Sequence, residues 1–467
     1  MARIHFIGVC GTAMATLAAM LKARGHDVQG SDQAMYPPMS DFLVRESIRV
    51  FNGYAATHIT PDIDLVVVGN AVSRGNPELE EVLDRKIRYA SLPETIREQF
   101  LWQSRSIVIA GTHGKTTTTA LAGWLLTSAR RDPSVLVGGI ALDLQGSYRL
   151  GSGRDFVIEG DEYDSAFFDK TAKFLKYLPD IAVVGNLEYD HADIYPDMES
   201  LRTAFRRFLI LVPRHGRVVI GADSPEAVRL IPIARAPVDT YGIDDPAATW
   251  RANHVRAVNG RMQFDVAHDG EPFGEFSSPL HGVHNVRNAL AAIAVGHAAG
   301  LDATEMAQGL ASFSGVRRRL ELRGVERGVS VFDDFAHHPT AILETLRAIR
   351  ASYPDRRAWA VFEPRSATSC RRIFQDDFAR AFSDSGADEV VLAAVFRSTL
   401  PEAERLDVDQ VVRDVQRAGR RARVIPRADE IARTIAAEAS DGDLVIIMSN
   451  GGFDGIHETL LEALRVS

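Results

Sequence analysis

Cysteine is nearly absent, with two residues in 467, Cys10 and Cys370, separated by most of the chain. Such a pair excludes a disulfide framework and a cysteine-based zinc cluster, and it fits a reducing cytoplasm. No stretch approaches the roughly 18 consecutive apolar residues of a membrane span. The opening Met1-Ala2-Arg3-Ile4-His5-Phe6-Ile7-Gly8 lacks the charged start and long apolar centre of a secretory signal. Basic excess is missing too, since 53 Lys plus Arg face 62 Asp plus Glu for a net charge of −9. A nucleic-acid partner needs a basic face and is not expected; a membrane partner is not expected either. Disorder is excluded because 46% of residues are hydrophobic and 25% charged, an ordinary globular mixture. Internal repeats and low-complexity tracts are absent as well.

What the chain does contain is a short β-branched run followed by an amphipathic helix, repeated to the end. That rhythm predicts α/β domains with mostly parallel sheets. The length suggests three of them. A first block, 1–105, holds a strand over 3–8, a helix over 12–24 stopped by Gly25, and a strand ending at Gly30-Ser31-Asp32. A second, 106–323, has strands at 106–110, 155–161, 180–186 and 216–222, a short β insert over 247–280 and helices over 284–300 and 302–313. A third, 324–467, carries strands at 329–334, 358–364, 389–395 and 443–450 with helices between them.

The sharpest local feature is Gly111-Thr112-His113-Gly114-Lys115-Thr116-Thr117 between an apolar strand and an amphipathic helix. Glycines let the backbone turn tightly enough to aim N–H groups at phosphate oxygens, and the helix start adds its positive dipole end. Lys115 supplies a point charge for the β- and γ-phosphates of a nucleoside triphosphate, and Thr116 a hydroxyl for Mg²⁺. The strict spacing fails, because Ile109 stands where the first glycine belongs. The N-terminal Gly8-Val9-Cys10-Gly11 is a looser relative of this device. It keeps two of the three glycines of a dinucleotide fingerprint, with Asp32 about 20 residues on, where a ribose ligand sits.

Two polar clusters follow strand ends, where doubly wound sheets place ligands. Glu159-Gly160-Asp161-Glu162-Tyr163-Asp164 crowds four carboxylates into six residues; alone it reads as a solvated acidic loop, but a phosphate loop precedes it in the same domain, which favours a Mg²⁺ role. Asn186 to Asp193 contains His191, a second metal-ligand candidate. Asn285 and Asn288 share one face of a helix start and suit amide contacts to a nucleotide or a metal-bound water, or helix capping. Arg317-Arg318-Arg319 is the densest basic run, and Asp333-Asp334-Phe335-Ala336-His337-His338-Pro339 ends a strand and leads into a helix.

Taken in order, these landmarks resemble the Mur ligase family, the ATP-dependent amide-bond synthetases of peptidoglycan assembly, over essentially the whole chain. The resemblance implies an N-terminal Rossmann-like domain for the UDP-sugar, a central P-loop ATPase domain and a C-terminal Rossmann-like domain for the peptide. It implies ATP held by residues 111–117 with Asn285, Asn288, Arg319 and Asp334, one Mg²⁺ held by Thr116 and Glu159, and a second cation at His191. Gly8, Gly11, Ser31 and Asp32 would anchor UDP-N-acetylmuramate. His337, close in sequence to Asp334, is the candidate for taking the amine proton.

Segments 36–40, 69–80, 159–170, 187–195, 362–369 and 449–461 resemble members that add the murein tripeptide in recycling. They nominate Arg365, Ser366, Asn450 and His457 for peptide recognition. One departure is Gly160, where related sequences usually carry Ala; it should be tolerated but loosen the strand end. The implied reaction joins L-alanyl-γ-D-glutamyl-meso-diaminopimelate to the lactoyl carboxylate through an acyl phosphate. Three other readings stand beside it: an L-alanine-adding ligase, a nicotinamide-dependent oxidoreductase using the N-terminal turn, and a nucleotide-gated binding module. Oligomeric state is not assigned.

Overall fold

The structure, a computed structural model, describes residues 1–35, 39–396 and 399–466. Residues 36–38, the start of one segment that carried the resemblance, lie outside the described residues. The first sheet runs in the order Arg49–Asn52, Asp27–Asp32, Arg3–Ile7, Leu65–Val68, Tyr89–Ser91, every pair parallel. Its crossover helix Thr12–Ala23 buries Met14, Leu17, Met20 and Leu21 against Ile4 and Phe6. The chain turns out of that helix at Gly25, whose φ of +86° is a conformation that residues with a Cβ rarely adopt.

The second sheet has ten strands. Its centre is Arg217–Gly221, Ile181–Val184, Arg105–Ala110 and Asp155–Glu159, parallel throughout. These strands are apolar along nearly their whole length because helices or loops cover both faces. The region 247–280 is β, as its composition predicts, and it joins the central sheet. Trp250–Val258 pairs with Val238–Gly242 at Tyr241 and Gly242, so three antiparallel strands extend the same sheet. The helices Lys115–Ser128 and Val283–Ala299 pack together on one face of this sheet. On the other face the core is continuous with that of the first sheet, and the Phe100 and Phe156 rings lie 6.0 Å apart at the join.

The third sheet runs Glu321–Glu326, Val329–Asp334, Leu444–Met448, Ala358–Phe362, Glu389–Leu392, Arg421–Val424. Its first strand is antiparallel and polar, and the rest are parallel with a packed helical layer on each face. Among the described residues no helix is long and apolar enough to cross a membrane.

Candidate active site

Strand Arg105–Ala110 delivers the loop 111–114 to the start of the helix Lys115–Ser128. Gly111 has φ +137°, and a Cβ there would stand 3.0 Å from the backbone oxygen of Asn186. Gly114 has φ +80°, and its Cβ would collide with the Asn288 amide oxygen. Both glycines are therefore forced by close approach as well as by conformation. The amides of Thr112 and His113 donate to Asn186, at 2.9 Å to its carbonyl and 2.8 Å to its side chain. That leaves the first turn of the helix to face an anion.

Lys115 Nζ donates to the Gly111 carbonyl at 2.7 Å and to Glu162 Oε1 at 2.8 Å. Burial works against its charge, but Glu162, aided by Glu159 and Asp161, outweighs burial and holds the pKa above the ordinary lysine value.

The four crowded carboxylates separate, each taking a different partner. Glu159 accepts from Thr116 Oγ1 at 3.1 Å and from the Gly138 amide at 2.8 Å. Asp161 pairs with Lys173 at 2.5 Å. Glu162 pairs with Lys115 and with His191 Nε2 at 2.7 Å, and its Oε2 is buried without a partner among the described residues. Asp164 pairs with Lys170 at 2.6 Å and accepts from Asn70 of the first sheet at 2.9 Å. Burial raises the Glu159 pKa despite Lys115, the mark of a carboxylate held among too few positive charges. Gly160 lies between them against the neighbouring strand. A Cβ there would stand 3.0 Å from both Ala110 and Val108, so glycine relieves crowding.

His191 sits at φ +57°, a costly conformation for a side chain of this kind, fixed by its amide donating to Asp190 Oδ1 at 2.7 Å. Its ring lies between Glu162 and the Tyr163 hydroxyl, 2.9 Å from Nδ1. Burial opposes protonation, yet Glu162 and Asp190 shift its pKa upward. Thr368 of the third sheet's loops closes the far side, its hydroxyl donating to Asp190.

Asn288 lies against the phosphate loop, accepting from Thr118 Oγ1 at 3.2 Å and donating to Asn285 at 3.0 Å. The arginine run divides. Arg318 binds the Ser449 and Gly451 carbonyls at 2.6 and 2.7 Å, whereas Arg319 reaches the phosphate loop, donating to Thr116 Oγ1 at 3.3 Å. Asp334 accepts from the amides of Leu320 at 2.7 Å and Ala336 at 2.8 Å, and burial raises its pKa. His337 Nδ1 faces the Phe335 carbonyl at 3.0 Å. A carbonyl can only accept, so Nδ1 carries the proton and the lone pair is on Nε2. Burial lowers the His337 pKa, which keeps the ring neutral near pH 7.

The N-terminal turn forms a separate centre. Gly8, at φ +83°, donates to the Ser31 carbonyl at 2.9 Å, and the Cys10 amide donates to Asp32 at 2.8 Å. Gly11 is the N-cap of the helix Thr12–Ala23. Ser31 points inward, its hydroxyl donating to the fully buried Glu78, which also meets His5 at 3.0 Å and His58 at 2.6 Å. Of the peptide candidates, Arg365 lies 3.8 Å over the Phe396 ring, and Ser366 bonds Ser369. Asn450 Oδ1 is buried without a partner among the described residues, and His457 is buried with Nε2 3.4 Å from Asp333.

The structure thus gathers Lys115, Thr116, Glu159, His191, Asn288 and Arg319 around one loop. The turn at Gly8 and the Arg365 group stand on other sheets. Sequence reasoning missed Glu162, which bridges Lys115 and His191, and Asn186, which ties down the loop. Glu162 was visible as one of four carboxylates, but the lysine and histidine that choose it are distant in sequence.

Three α/β sheets around a P-loop that is contacted from the third sheet define a three-lobed nucleotide-dependent enzyme architecture. Family models match along the chain: "Mur ligase family, catalytic domain" over residues 3–100, "Mur ligase middle domain" over 109–296 and "Mur ligase, glutamate ligase domain" over 318–451. The chain is 40% identical to the UDP-N-acetylmuramate–L-alanyl-gamma-D-glutamyl-meso-2,6-diaminoheptandioate ligase of Escherichia coli, covering 99% of this chain and 98% of that one. It is 37% identical to the UDP-N-acetylmuramate–L-alanine ligase of Agrobacterium fabrum, covering 96% and 94%. The crystal structure of a murein peptide ligase from Psychrobacter arcticus superposes with a TM-score of 0.73 at 36% identity, covering 100% of this chain and 99% of that one. The chain belongs to the Mur ligase family. Membership retires the nicotinamide reading.

Proposed function

We propose that the chain is an ATP-dependent ligase that joins L-alanyl-γ-D-glutamyl-meso-diaminopimelate to the lactoyl carboxylate of UDP-N-acetylmuramate, in the cytoplasm, during peptidoglycan recycling. The choice of tripeptide over L-alanine follows the higher identity to the tripeptide-adding relative. The observation that carries the chemistry is the chain of contacts from Lys115 through Glu162 to His191, with Glu159 on Thr116 beside it. Residues 1–105 are assigned to the UDP-sugar, 106–323 to ATP and 324–467 to the peptide.

A carboxylate and an amine do not condense in water, so the carboxylate must first be activated. Its oxygen attacks the γ-phosphorus, the bond to the β-phosphate oxygen breaks, and ADP leaves an acyl phosphate. Lys115 and Arg319 hold the charge that spreads over the transferred group, positioning being the main catalytic task. The amine nitrogen then attacks the acyl carbon and phosphate departs. His337 Nε2 is free to accept the amine proton. Asn285, Asn288 and Asp334 position the nucleotide, while Gly8, Gly11, Ser31 and Asp32 form the turn for the uridine diphosphate. Ser31 serves that turn through its backbone, since its hydroxyl is committed to Glu78. Arg365, Ser366, Asn450 and His457 are assigned to the peptide side.

The donor set fits Mg²⁺. Thr116 Oγ1 and Glu159 are hard oxygen ligands 3.1 Å apart, and Glu162 Oε2 is a buried oxygen beside His191, without a partner among the described residues. When bound, Mg²⁺ supplies charge neutralisation at the phosphates. The test is to label the lactoyl carboxylate with heavy oxygen. One labelled atom should appear in the released phosphate for each amide formed; label retained entirely in the product contradicts the acyl phosphate.

A further inference from the structure

A second group of metal-ligating side chains lies between the phosphate loop and the third sheet and uses none of the groups assigned to Mg²⁺. His113, Glu188 and His338 each offer one ligand atom, all within 4.8 Å of one another. His113 Nε2 is 3.4 Å from Glu188 Oε2, and His338 Nδ1 is 3.7 Å from the same oxygen. A tetrahedral ion with bonds of about 2.0–2.1 Å sets its ligand atoms roughly 3.4 Å apart, so two of the three separations already match. We propose that His113, Glu188 and His338 form a zinc-type site that pins the phosphate loop to the C-terminal lobe.

Three observations carry this. The ligands sit on fixed backbone: Glu188 and Thr112 exchange hydrogen bonds of 2.9 and 3.1 Å, and His338 is the N-cap of the helix Pro339–Ser352. His338 is only 6% exposed, and its Nδ1, the atom that faces Glu188, has only a 3.4 Å contact with the Thr340 amide, a long bond that a bound ion would displace. Such a ring is under-satisfied where it stands. Finally, two imidazoles and a carboxylate select zinc, cobalt or nickel over magnesium, which prefers oxygen alone. Thr340 Oγ1, donating to Glu188 Oε2 at 2.6 Å, supplies the outer hydrogen bond that holds the carboxylate in place.

The probe is Zn²⁺ titrated into the full chain against a chromophoric chelator, with saturating Mg²⁺ and no nucleotide, and Co²⁺ for its absorption bands. One Zn²⁺ per chain is expected with a Kd of about 10 μM or tighter, and Co²⁺ should show tetrahedral bands. His338→Asn, which keeps a helix-capping side chain, and Glu188→Gln should each weaken Zn²⁺ by roughly 100-fold or more, since even outer-shell losses cost 10–100-fold. Glu159→Gln should leave the affinity unchanged. The proposal is overturned if no Zn²⁺ binds below about 100 μM. It is equally overturned if both the His338 and Glu188 variants bind as the parent does, or if only Glu159→Gln loses the ion.

Discussion

The chain builds a strand–glycine turn–helix device twice, and the two copies differ in what surrounds the turn. At Gly8 the turn is closed by neutral backbone contacts and one carboxylate, Asp32, with no lysine in the loop. At Gly111 the same turn carries Lys115, and Thr116, Glu159, Glu162, His191 and Arg319 converge on it. On the proposed reading the first holds a diphosphate by helix dipole and amides, and among the described residues no lysine or arginine is bonded to it. The second has cationic and carboxylate groups placed for transfer. On the function proposed above, one device, furnished differently, separates substrate anchoring from chemistry.

Removing the charge that distinguishes the second turn should have the largest effect. Lys115→Ala is expected to lower kcat by about 100- to 1,000-fold while leaving UDP-N-acetylmuramate binding intact, as read by steady-state turnover and calorimetry. A large loss of UDP-sugar affinity would break the comparison. Glu162→Gln should follow, with turnover down about 100-fold and a raised Mg²⁺ requirement, measured by rates across a magnesium series.

At the first turn the expected effects are on stability and affinity. Glu78→Ala should destabilise the N-terminal lobe by about 3–5 kcal/mol, because it strands His5 and His58 beneath the turn. Burial works against the Glu78 carboxylate, but hydrogen bonds from His5, Ser31 and His58 outweigh it and depress its pKa below 4.5. Its contribution is therefore full above pH 4.5 and fades as pH falls through the depressed value. The gap in denaturant midpoint between parent and Glu78→Ala should narrow on acidification; a gap that widens contradicts the assignment. Smallest is Gly8→Ala. Its positive φ costs about 1–2 kcal/mol, seen as a several-fold rise in KM for the UDP-sugar with kcat nearly unchanged.

The contrast also explains what could be read from the sequence. The phosphate loop was legible because its glycines, Lys115 and Thr116 are consecutive, and the apolar central strands because both their faces are buried. Short polar edge strands such as Glu321–Glu326 and Arg421–Val424 gave no such pattern and were not anticipated. Nor was the docking of 247–280 onto the central sheet, which depends on two backbone pairs at Tyr241 and Gly242. Within the acidic run the division of labour was hidden, because Lys173, Lys170, Asn70 and His191 reach it from elsewhere in the fold. Gly160 shows the same limit: its reason is the proximity of Ala110 and Val108 on the adjacent strand.

The most direct measurement is ADP release from ATP and UDP-N-acetylmuramate with magnesium, compared across candidate amines. Rapid release with L-alanyl-γ-D-glutamyl-meso-diaminopimelate and little with L-alanine is the expected result. Efficient turnover with L-alanine would reassign the acceptor, and no ADP with any amine would contradict the account.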